Sequence, residues 1–326
     1  MRIRNLLLAA FLALAAAACG GEGKEATPAP SPTASPAFTF NCSAAFPGAQ
    51  PDSSIYPVDI NDDAGRTVNL KAPPKAIVSL SAGHTEILYA LGAAGQIAAV
   101  DKFSNCPKAA AALPHLDAFS PSVESIAALK PDLVVLFFDP GGLRQSLERL
   151  GIQVLFLKSP ESVQGVFQQM ALLGRATGHP KEADKLTTEM RAGIDAIVRK
   201  LADIQQGPTV FHEVDSTYFT AGPGSFVGDL YKTLKARNIA EAASEAYPQI
   251  NAEAIIKADP QVIILADVAA GESPQTVAAR PGWSQITAVK GGRVYTVDPD
   301  IVSRPGPRLV DALDTLARLL YPEKFR

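Results

Sequence analysis

One short segment occurs twice in the chain, first as VESIAALKPDLVVL at residues 123–136 and again as AEAIIKADPQVIIL at 252–265. The glutamates Glu124 and Glu253 lie 129 positions apart, and each is followed by a proline and then an apolar run. A polar residue before each copy can cap a helix, and the apolar run is typical of a strand buried in a parallel sheet. The repetition of this helix–strand unit predicts two related α/β lobes.

The rest of the body supports the same fold class. Short apolar runs alternate with helical segments around each copy, which is typical of parallel sheets with right-handed crossovers. Residues 180–206 carry apolar side chains at spacings of three and four, and this periodicity predicts one long amphipathic helix. We therefore predict two Rossmann-like lobes with parallel-type sheets joined by a long linking helix. The predicted bounds are 51–179 for the N-terminal lobe, 180–206 for the linking helix and 207–326 for the C-terminal lobe.

Composition and motifs exclude several classes of function. The 326 residues are 47% hydrophobic, which is an ordinary globular composition with enough length for two domains. The formal net charge is −3 without a basic block, so we predict no nucleic-acid partner. The sequence has no G-x-S-x-G elbow, P-loop or H-E-x-x-H motif, and we predict that the protein is not an enzyme and has no metal site. An anchored sensor or adhesion protein on the same fold is a rival interpretation, but the sequence shows no additional domain for it.

The first 50 residues differ in composition from the body. Two arginines, an apolar stretch and a run of alanines ending before Cys19 are typical of a signal peptide over residues 1–18. The small residues before Cys19 resemble a bacterial lipobox, in which the cysteine carries lipid, and ordinary cleavage after an A-x-A site is the alternative. Proline, alanine and serine are frequent afterwards, so we predict a lipid anchor and a disordered linker over 19–50. The predicted location is extracytoplasmic, anchored to the cell membrane in the periplasm or on the outer surface.

Three cysteines occur in the chain. If Cys19 carries lipid, Cys42 and Cys106 remain as a pair in an oxidising compartment, where disulfides persist. We expect a disulfide bond between them, and two unrelated buried thiols are the alternative.

Four segments together resemble one protein family, the substrate-binding proteins of ABC importers for vitamin B12, iron–siderophores and haem. They are PKAIVSLSAGHTEILYALGA at 74–93, the two copies of the repeat, and SRPGPR at 303–308. The resemblance covers residues 70–326 and is greatest to the vitamin B12-binding branch. It implies a ligand cleft between the lobes and a linking helix that limits hinge motion. It also implies a monomer that delivers a cobalamin-type molecule to an ABC permease dimer with its ATPase subunits.

The resemblance assigns a role to the repeated glutamates. In the family, a glutamate at the tip of each lobe docks onto arginines of the two membrane subunits, and the matching positions are Glu124 and Glu253. Two lobes that meet a two-fold symmetric permease need two equivalent contacts. The alternative for each glutamate is a favourable interaction with the helix dipole, worth about 0.3–1 kcal/mol.

The resemblance also nominates ligand contacts, in loops at strand ends as in other open α/β sheets. Aromatic faces suit a flat corrin or porphyrin, and an arginine can meet amides, phosphate or carboxylates. His84 could contact an axial position of cobalt or iron or hydrogen-bond the ligand, and a capping histidine is the alternative. We predict a corrinoid as ligand, with haem or an iron–siderophore as the alternative, and no further cofactor. The nominated residues are His84, Phe103, Phe119, Phe138, Tyr218, Tyr247, Asp300 and Arg304.

Overall fold

The computed structural model describes residues 38–326. The predicted signal peptide, the lipidation site at Cys19 and most of the predicted linker lie outside the described residues. Within 38–326, no helix combines the length and the apolar character needed to cross a bilayer. The described strands form two larger sheets and one antiparallel hairpin, which consists of β1 (Val58–Asn61) and β2 (Thr67–Leu70).

The larger sheet has five parallel strands and belongs to the N-terminal lobe. Its order is β5-β4-β3-β6-β7, so the chain starts in the middle, builds one edge and then returns to build the other. The central strands β3 and β6 are buried at every residue, which explains their apolar sequences. The strands are β3 (Ile77–Leu80), β4 (Ile97–Asp101), β5 (His115–Leu116), β6 (Leu133–Leu136) and β7 (Gln153–Phe156). The helices are α1 (Ala82–Ala90), α2 (Val123–Ala128), α3 (Leu143–Arg149) and α4 (Val163–Thr177).

The chain passes from the first sheet to the second through α5 (Pro180–Lys200). Its first residue is proline, whose missing N–H is not needed at that position. The helix begins at the predicted residue but ends before the predicted limit at 206. Past the end of the helix, the Lys235 ammonium group donates to three carbonyl oxygens of residues 201–204, at 2.8–3.3 Å, and so satisfies carbonyls that have no helical partner.

The second sheet has four parallel strands in the order β11-β10-β8-β9. It belongs to the C-terminal lobe and repeats the topology of the first sheet without a counterpart of β5. The strands are β8 (Thr209–Glu213), β9 (Arg237–Asn238), β10 (Val262–Leu265) and β11 (Val294–Thr296). The helices are α6 (Phe226–Thr233), α7 (Ala252–Ala258), α8 (Pro274–Ala278), α9 (Thr287–Lys290), α10 (Pro299–Val302) and α11 (Leu309–Leu320).

Strand pairing relates the two lobes residue by residue. Leu80 pairs with Leu136 at the ends of β3 and β6, and Glu213 pairs with Leu265 at the ends of β8 and β10. β6 and β10 come from the two copies of the repeated segment. The ends of β8 and β3 therefore occupy equivalent positions, although one carries a carboxylate and the other an apolar side chain.

The lobes share one apolar core on the side of the linking helix. Helix α5 packs against α4 and α11, and its side chain Met190 belongs to the same buried cluster as Val135 of β6 and Ile264 of β10. Each sheet has a further apolar cluster of its own, which includes Ile126 in the first lobe and Trp283 in the second.

Residues 38–50 differ from the predicted disordered linker, because they pack on the folded body. Phe40 is only 6% exposed, and Cys42 forms a disulfide with Cys106 across a Cα–Cα distance of 5.0 Å. The backbone N–H of Ala49 donates to the carbonyl oxygen of Gly92 at 2.8 Å. Buried aromatic surface and a covalent cross-link hold this segment in place, so the folded body includes it.

Candidate ligand-binding cleft and docking surface

A cavity of about 320 Å³ lies at the carboxyl ends of the first sheet. It is lined by the start of α1, by loops after β4, β5, β6 and β7, and by residues 299–305, which follow β11 in the second lobe. The cavity therefore lies between the lobes, where open α/β sheets bind their ligands. Its volume is at the lower end for small-molecule sites, so a macrocycle bound here must extend onto the surfaces beside it.

Four phenylalanines of the first lobe form one cluster, of which Phe103, Phe119 and Phe137 line this cavity and Phe138 lies beside it, outside the lining. The ring centroid of Phe119 lies 5.9–6.1 Å from those of the other three, which are Phe103, Phe137 and Phe138. The three that the sequence nominated are 47–52% exposed, and large apolar side chains left exposed together indicate a binding surface. The sequence analysis did not nominate Phe137, although it stands directly before Phe138 at the end of a predicted strand and could have been found there.

His84 lies in the first turn of α1, where the Ser81 hydroxyl accepts a hydrogen bond from the His84 backbone N–H at 3.4 Å. Its side chain lines the cavity but is only 2% exposed. Its Nε2 lies 3.0 Å from Oε1 of Gln169, and its Nδ1 has no partner among the described residues. Burial lowers the pKa of His84 to about 4, so the imidazole is neutral at neutral pH. Among residues 38–326, no three or more His, Cys, Asp or Glu side chains are placed to hold a metal ion.

Arg304 follows α10 and joins the two lobes through its guanidinium group. Nη1 donates to Oε1 of Glu86 at 2.7 Å and to Oδ1 of Asn105 at 3.0 Å, both in the first lobe. Nη2 donates to Oδ1 of Asp300 at 2.7 Å and to the carbonyl oxygen of Phe103 at 3.2 Å. The structure therefore brings Asp300 and Arg304 to the cleft with their polar atoms already paired. A ligand that meets Arg304 must share these atoms or replace a partner.

Glu86, the buried partner of Arg304, is not itself part of the cavity lining, and the sequence reasoning missed it. It is fully buried and also accepts hydrogen bonds from Nε and Nη2 of Arg308, at 2.9 and 2.6 Å. A buried carboxylate requires such pairing, because an unpaired charge away from water is costly. The available signal was a lone acidic residue in the otherwise largely apolar helix α1.

The two nominated tyrosines lie outside the lining of the cavity. Tyr218 packs its ring against Trp283, with 5.7 Å between the ring centroids. Tyr247 is 47% exposed on a loop of the second lobe. The two loops pair with each other, since the backbone N–H of Ile250 donates to the carbonyl oxygen of Tyr218 at 3.1 Å. The structure thus brings the tyrosines onto neighbouring loops but does not add them to the phenylalanine cluster.

The repeated glutamates occupy the same position in two short helices. Glu124 and Glu253 are the second residues of α2 and α7, and both are exposed. Each helix is capped by the polar side chain just before it, Ser122 or Asn251, which accepts from a backbone N–H at 3.0 or 2.8 Å. Hydrogen bonds from its own backbone N–H and from the Ser122 hydroxyl lower the pKa of Glu124, so its carboxylate is ionised.

Comparison with known proteins identifies the family. The model of the periplasmic binding protein family matches residues 77–301, which include both sheets and every cavity-lining residue except Ser303, Arg304 and Pro305. The chain belongs to the periplasmic binding protein family. This family consists of periplasmic or extracytoplasmic binding proteins of transport systems.

The relatives of this periplasmic binding protein include ABC transporter substrate-binding proteins. It is 34% identical over 287 residues to the uncharacterized ABC transporter substrate-binding lipoprotein YvrC of Bacillus subtilis (strain 168), covering 85% of this chain and 90% of that protein. It is 28% identical over 280 residues to a cobalamin-binding protein of Halobacterium salinarum, covering 82% of this chain and 74% of that protein.

Solved structures agree with the fold. One from Staphylococcus epidermidis ATCC 12228, described as a possible iron-binding (periplasmic solute-binding) protein, matches with a TM-score of 0.68 and 30% identity. The match covers 76% of this chain and 99% of that chain. The predicted family and the predicted α/β fold with two lobes and parallel sheets are confirmed.

Proposed function

We propose that this periplasmic binding protein captures a corrinoid of the vitamin B12 type and delivers it to an ABC importer. The observation that carries the proposal is the group of four phenylalanines at the cleft, centred on Phe119, of which three are about half exposed to solvent. Aromatic faces of this extent suit a flat macrocycle. The cobalamin-binding relative from Halobacterium salinarum favours corrin among the macrocycles.

Haem is the second candidate, because two observations favour an iron chelate. The solved structure from Staphylococcus epidermidis is described as possibly iron-binding. Tyr247 is a half-exposed tyrosine of the second lobe, and a tyrosine can ligate haem iron. The phenylalanine cluster alone suits a porphyrin as well as a corrin.

Delivery requires contact with a membrane complex, and we assign that contact to Glu124 and Glu253. Both carboxylates are exposed at equivalent helix starts, which suits two equivalent basic sites on a permease dimer with its ATPase subunits. We also propose that Cys19 carries the lipid anchor, since the Bacillus subtilis relative is a lipoprotein. An anchored receptor stays close to its permease.

Calorimetric titration of the purified protein with cobalamin, cobinamide and haem tests the ligand. We expect one molecule of cobalamin to bind per chain, together with a change in the visible spectrum of the corrin. Tight binding of haem beside no binding of either corrinoid would reverse the choice of ligand. Binding of none of the three would leave the aromatic cluster without the proposed role.

A further inference from the structure

Four charged side chains form a cluster at the strand ends of the second sheet. Arg280 donates to both carboxylate oxygens of Glu213 at 2.6 Å and to Glu272 at 2.8 Å. Its guanidinium carbon lies 4.6 Å from the ring centroid of Trp283 and 5.3 Å from that of Tyr218. The aromatic rings and the two carboxylates therefore fix Arg280, and its hydrogen-bond donors point to Glu213 and Glu272.

The fourth member of the cluster, Asp267, lies beside the carboxyl group of Glu213, but no N–H or O–H group of the described residues donates to it in hydrogen-bond geometry. It is 7% exposed, and neither of its carboxylate oxygens has a hydrogen-bond partner among the described residues. Burial raises the pKa of Asp267 and raises that of the adjacent Glu213 to about 7. The cluster thus holds three carboxyl groups and one guanidinium, whose donors are taken by Glu213 and Glu272, so Asp267 can accept a further hydrogen-bond donor.

The cluster lies at the place in the sheet where proteins of this fold class bind ligands. Glu213 ends β8 and Asp267 follows β10, and the order of the strands reverses between these two neighbours. Open α/β sheets bind ligands at this reversal, outside the carboxyl ends of the strands. Strand β11 lies on the other side of β10, and the residues after β11 line the cleft cavity. The cluster therefore lies at the same carboxyl edge of the second sheet as these residues, beyond the cavity itself, whose lining includes none of its four members.

The repeated segment leads to the same place independently. Its offset of 129 residues aligns Asp267 with Phe138 and Ala266 with Phe137. Both phenylalanines belong to the aromatic cluster at the cleft. The second lobe thus carries a buried carboxylate where the first lobe carries an aromatic ring.

We propose that Asp267, supported by Glu213 and Glu272, forms a subsite that accepts hydrogen bonds from amide N–H groups on the rim of the bound ligand. The inference rests on the proposed corrinoid function, since the corrin rim carries neutral side-chain amides. The phenylalanines of the first lobe contact the face of the ring, and the carboxylate of the second lobe contacts its edge. A buried acceptor left unpaired in the free protein gains most from such a donor.

The same subsite disfavours anionic chelates. A carboxylate on the ligand, such as a haem propionate, would meet three carboxyl groups balanced by one guanidinium. Charge repulsion is strong in a buried site because water screens it poorly. Specificity against a competing ligand arises from repulsion of this kind as well as from favourable contacts.

Cobalamin monocarboxylic acids test the subsite, because acid hydrolysis replaces one side-chain amide with a carboxylate. The purified protein is titrated by calorimetry with cobalamin and with each separated positional isomer at neutral pH. We expect at least one isomer to bind about ten-fold more weakly than cobalamin, owing to a lost donor and an added negative charge. In Asp267→Asn, which offers both a donor and an acceptor, we expect that ratio to fall to about three-fold or less.

The matched control is Glu241→Gln, which removes one negative charge from an exposed position of the same lobe and should keep the wild-type ratio. Near-ultraviolet circular dichroism establishes that Asp267→Asn keeps the native packing. An unchanged ratio in Asp267→Asn, or equal binding of cobalamin and every isomer, would overturn the subsite and leave the proposed function intact. Binding of haem without any corrinoid would overturn both.

Discussion

The two copies of the repeated segment agree in their helices and differ directly after their strands. In both copies a polar side chain caps the helix, and the glutamate at the second helical position is exposed. Strands β6 and β10 are then buried at every residue. Phe137 and Phe138 follow β6, whereas Ala266 and Asp267 follow β10.

This difference indicates which partner each part of a lobe contacts. A two-fold symmetric partner presents the same surface to both lobes, so equivalent contacts favour equivalent residues, as at Glu124 and Glu253. A ligand held between the lobes presents two different surfaces, so equivalent strand ends can diverge. On the proposed function, the helix starts therefore serve the permease and the strand ends serve the ligand.

The largest effect should come from removing the buried ion pairs that join the two lobes. Glu86→Ala removes the buried carboxylate that pairs with Arg304 and Arg308 and leaves the buried guanidinium of Arg308 without its partner. We expect the free energy of unfolding to fall by about 3–5 kcal/mol, as measured by urea denaturation.

The control for this prediction is Glu148→Ala. Glu148 pairs with Arg66 at a partly exposed site within the first lobe, so its loss should cost about 1 kcal/mol or less. Equal losses in the two variants would mean that the pairing between the lobes adds nothing to that of an ordinary surface ion pair.

The next largest effect tests what the two copies share. Replacing both Glu124 and Glu253 with alanine should lower cobalamin uptake about 100-fold, because two charged contacts with the permease are lost together. Ligand affinity should remain at the wild-type value, since neither residue lines the cleft cavity. Uptake is measured with labelled cobalamin in cells that carry the variant in place of the native gene.

Glu182→Ala is the matched control, because Glu182 also lies in the first turn of a helix, the linking helix α5. It should lose only a favourable interaction with a helix dipole and transport normally. Normal uptake by the double variant would mean that Glu124 and Glu253 only stabilise their helices and do not contact the permease.

A smaller effect tests the phenylalanine cluster beside the end of β6, in the first lobe. Phe119→Ala removes the central ring of the phenylalanine cluster, and we expect cobalamin to bind about ten-fold more weakly in calorimetry. The variant should fold normally because Phe119 is 52% exposed. Leu150→Ala, another exposed apolar side chain of the same lobe that does not line the cavity, should bind as wild type. An equal loss in both variants would contradict a specific role for the aromatic cluster.

The sequence predicted the features that depend on local pattern. The alternation of strands and helices, the start of the linking helix at Pro180 and the caps of the repeated helices all follow from spacing and residue type within a few positions. The carbonyl groups at the end of the linking helix are satisfied by Lys235, which lies more than thirty residues away in the chain. Residues 38–50 are ordered by contacts with distant parts of the body, such as the disulfide between Cys42 and Cys106.

The missed parts of the site depend on pairing across the fold. Glu86 and Arg304 are 218 residues apart in sequence, and neither residue alone predicts the other. Glu213 and Arg280 come together only because β8 and β10 are neighbours in the second sheet. The alignment of Asp267 with Phe138 was readable from the repeat, but its meaning required the observation that Asp267 is buried without a partner.

The smallest effect tests Asp267, at the end of β10, and here the substitution should increase the stability of the free protein. Burial raises the pKa of Asp267, so the unfolded chain releases this proton at a lower pH than the folded protein does. The stability of the wild type therefore falls as the pH rises from the ordinary pKa of aspartate through the raised one. Asp267→Asn removes this loss, and we expect the ligand-free variant to be about 1 kcal/mol more stable at pH 8 in urea denaturation and equal to wild type at pH 4.

Asp215→Asn should show the opposite sign in the same lobe. Hydrogen bonds, chiefly from the Thr217 side chain, lower the pKa of Asp215, so its ionised form stabilises the fold at pH 8 and that contribution is lost in acid. A wild type more stable than Asp267→Asn at pH 8 would mean that Asp267 already has a partner in the free protein. The opposite result, a carboxylate that costs stability and strengthens cobalamin binding, is expected of a position that serves the ligand rather than the fold.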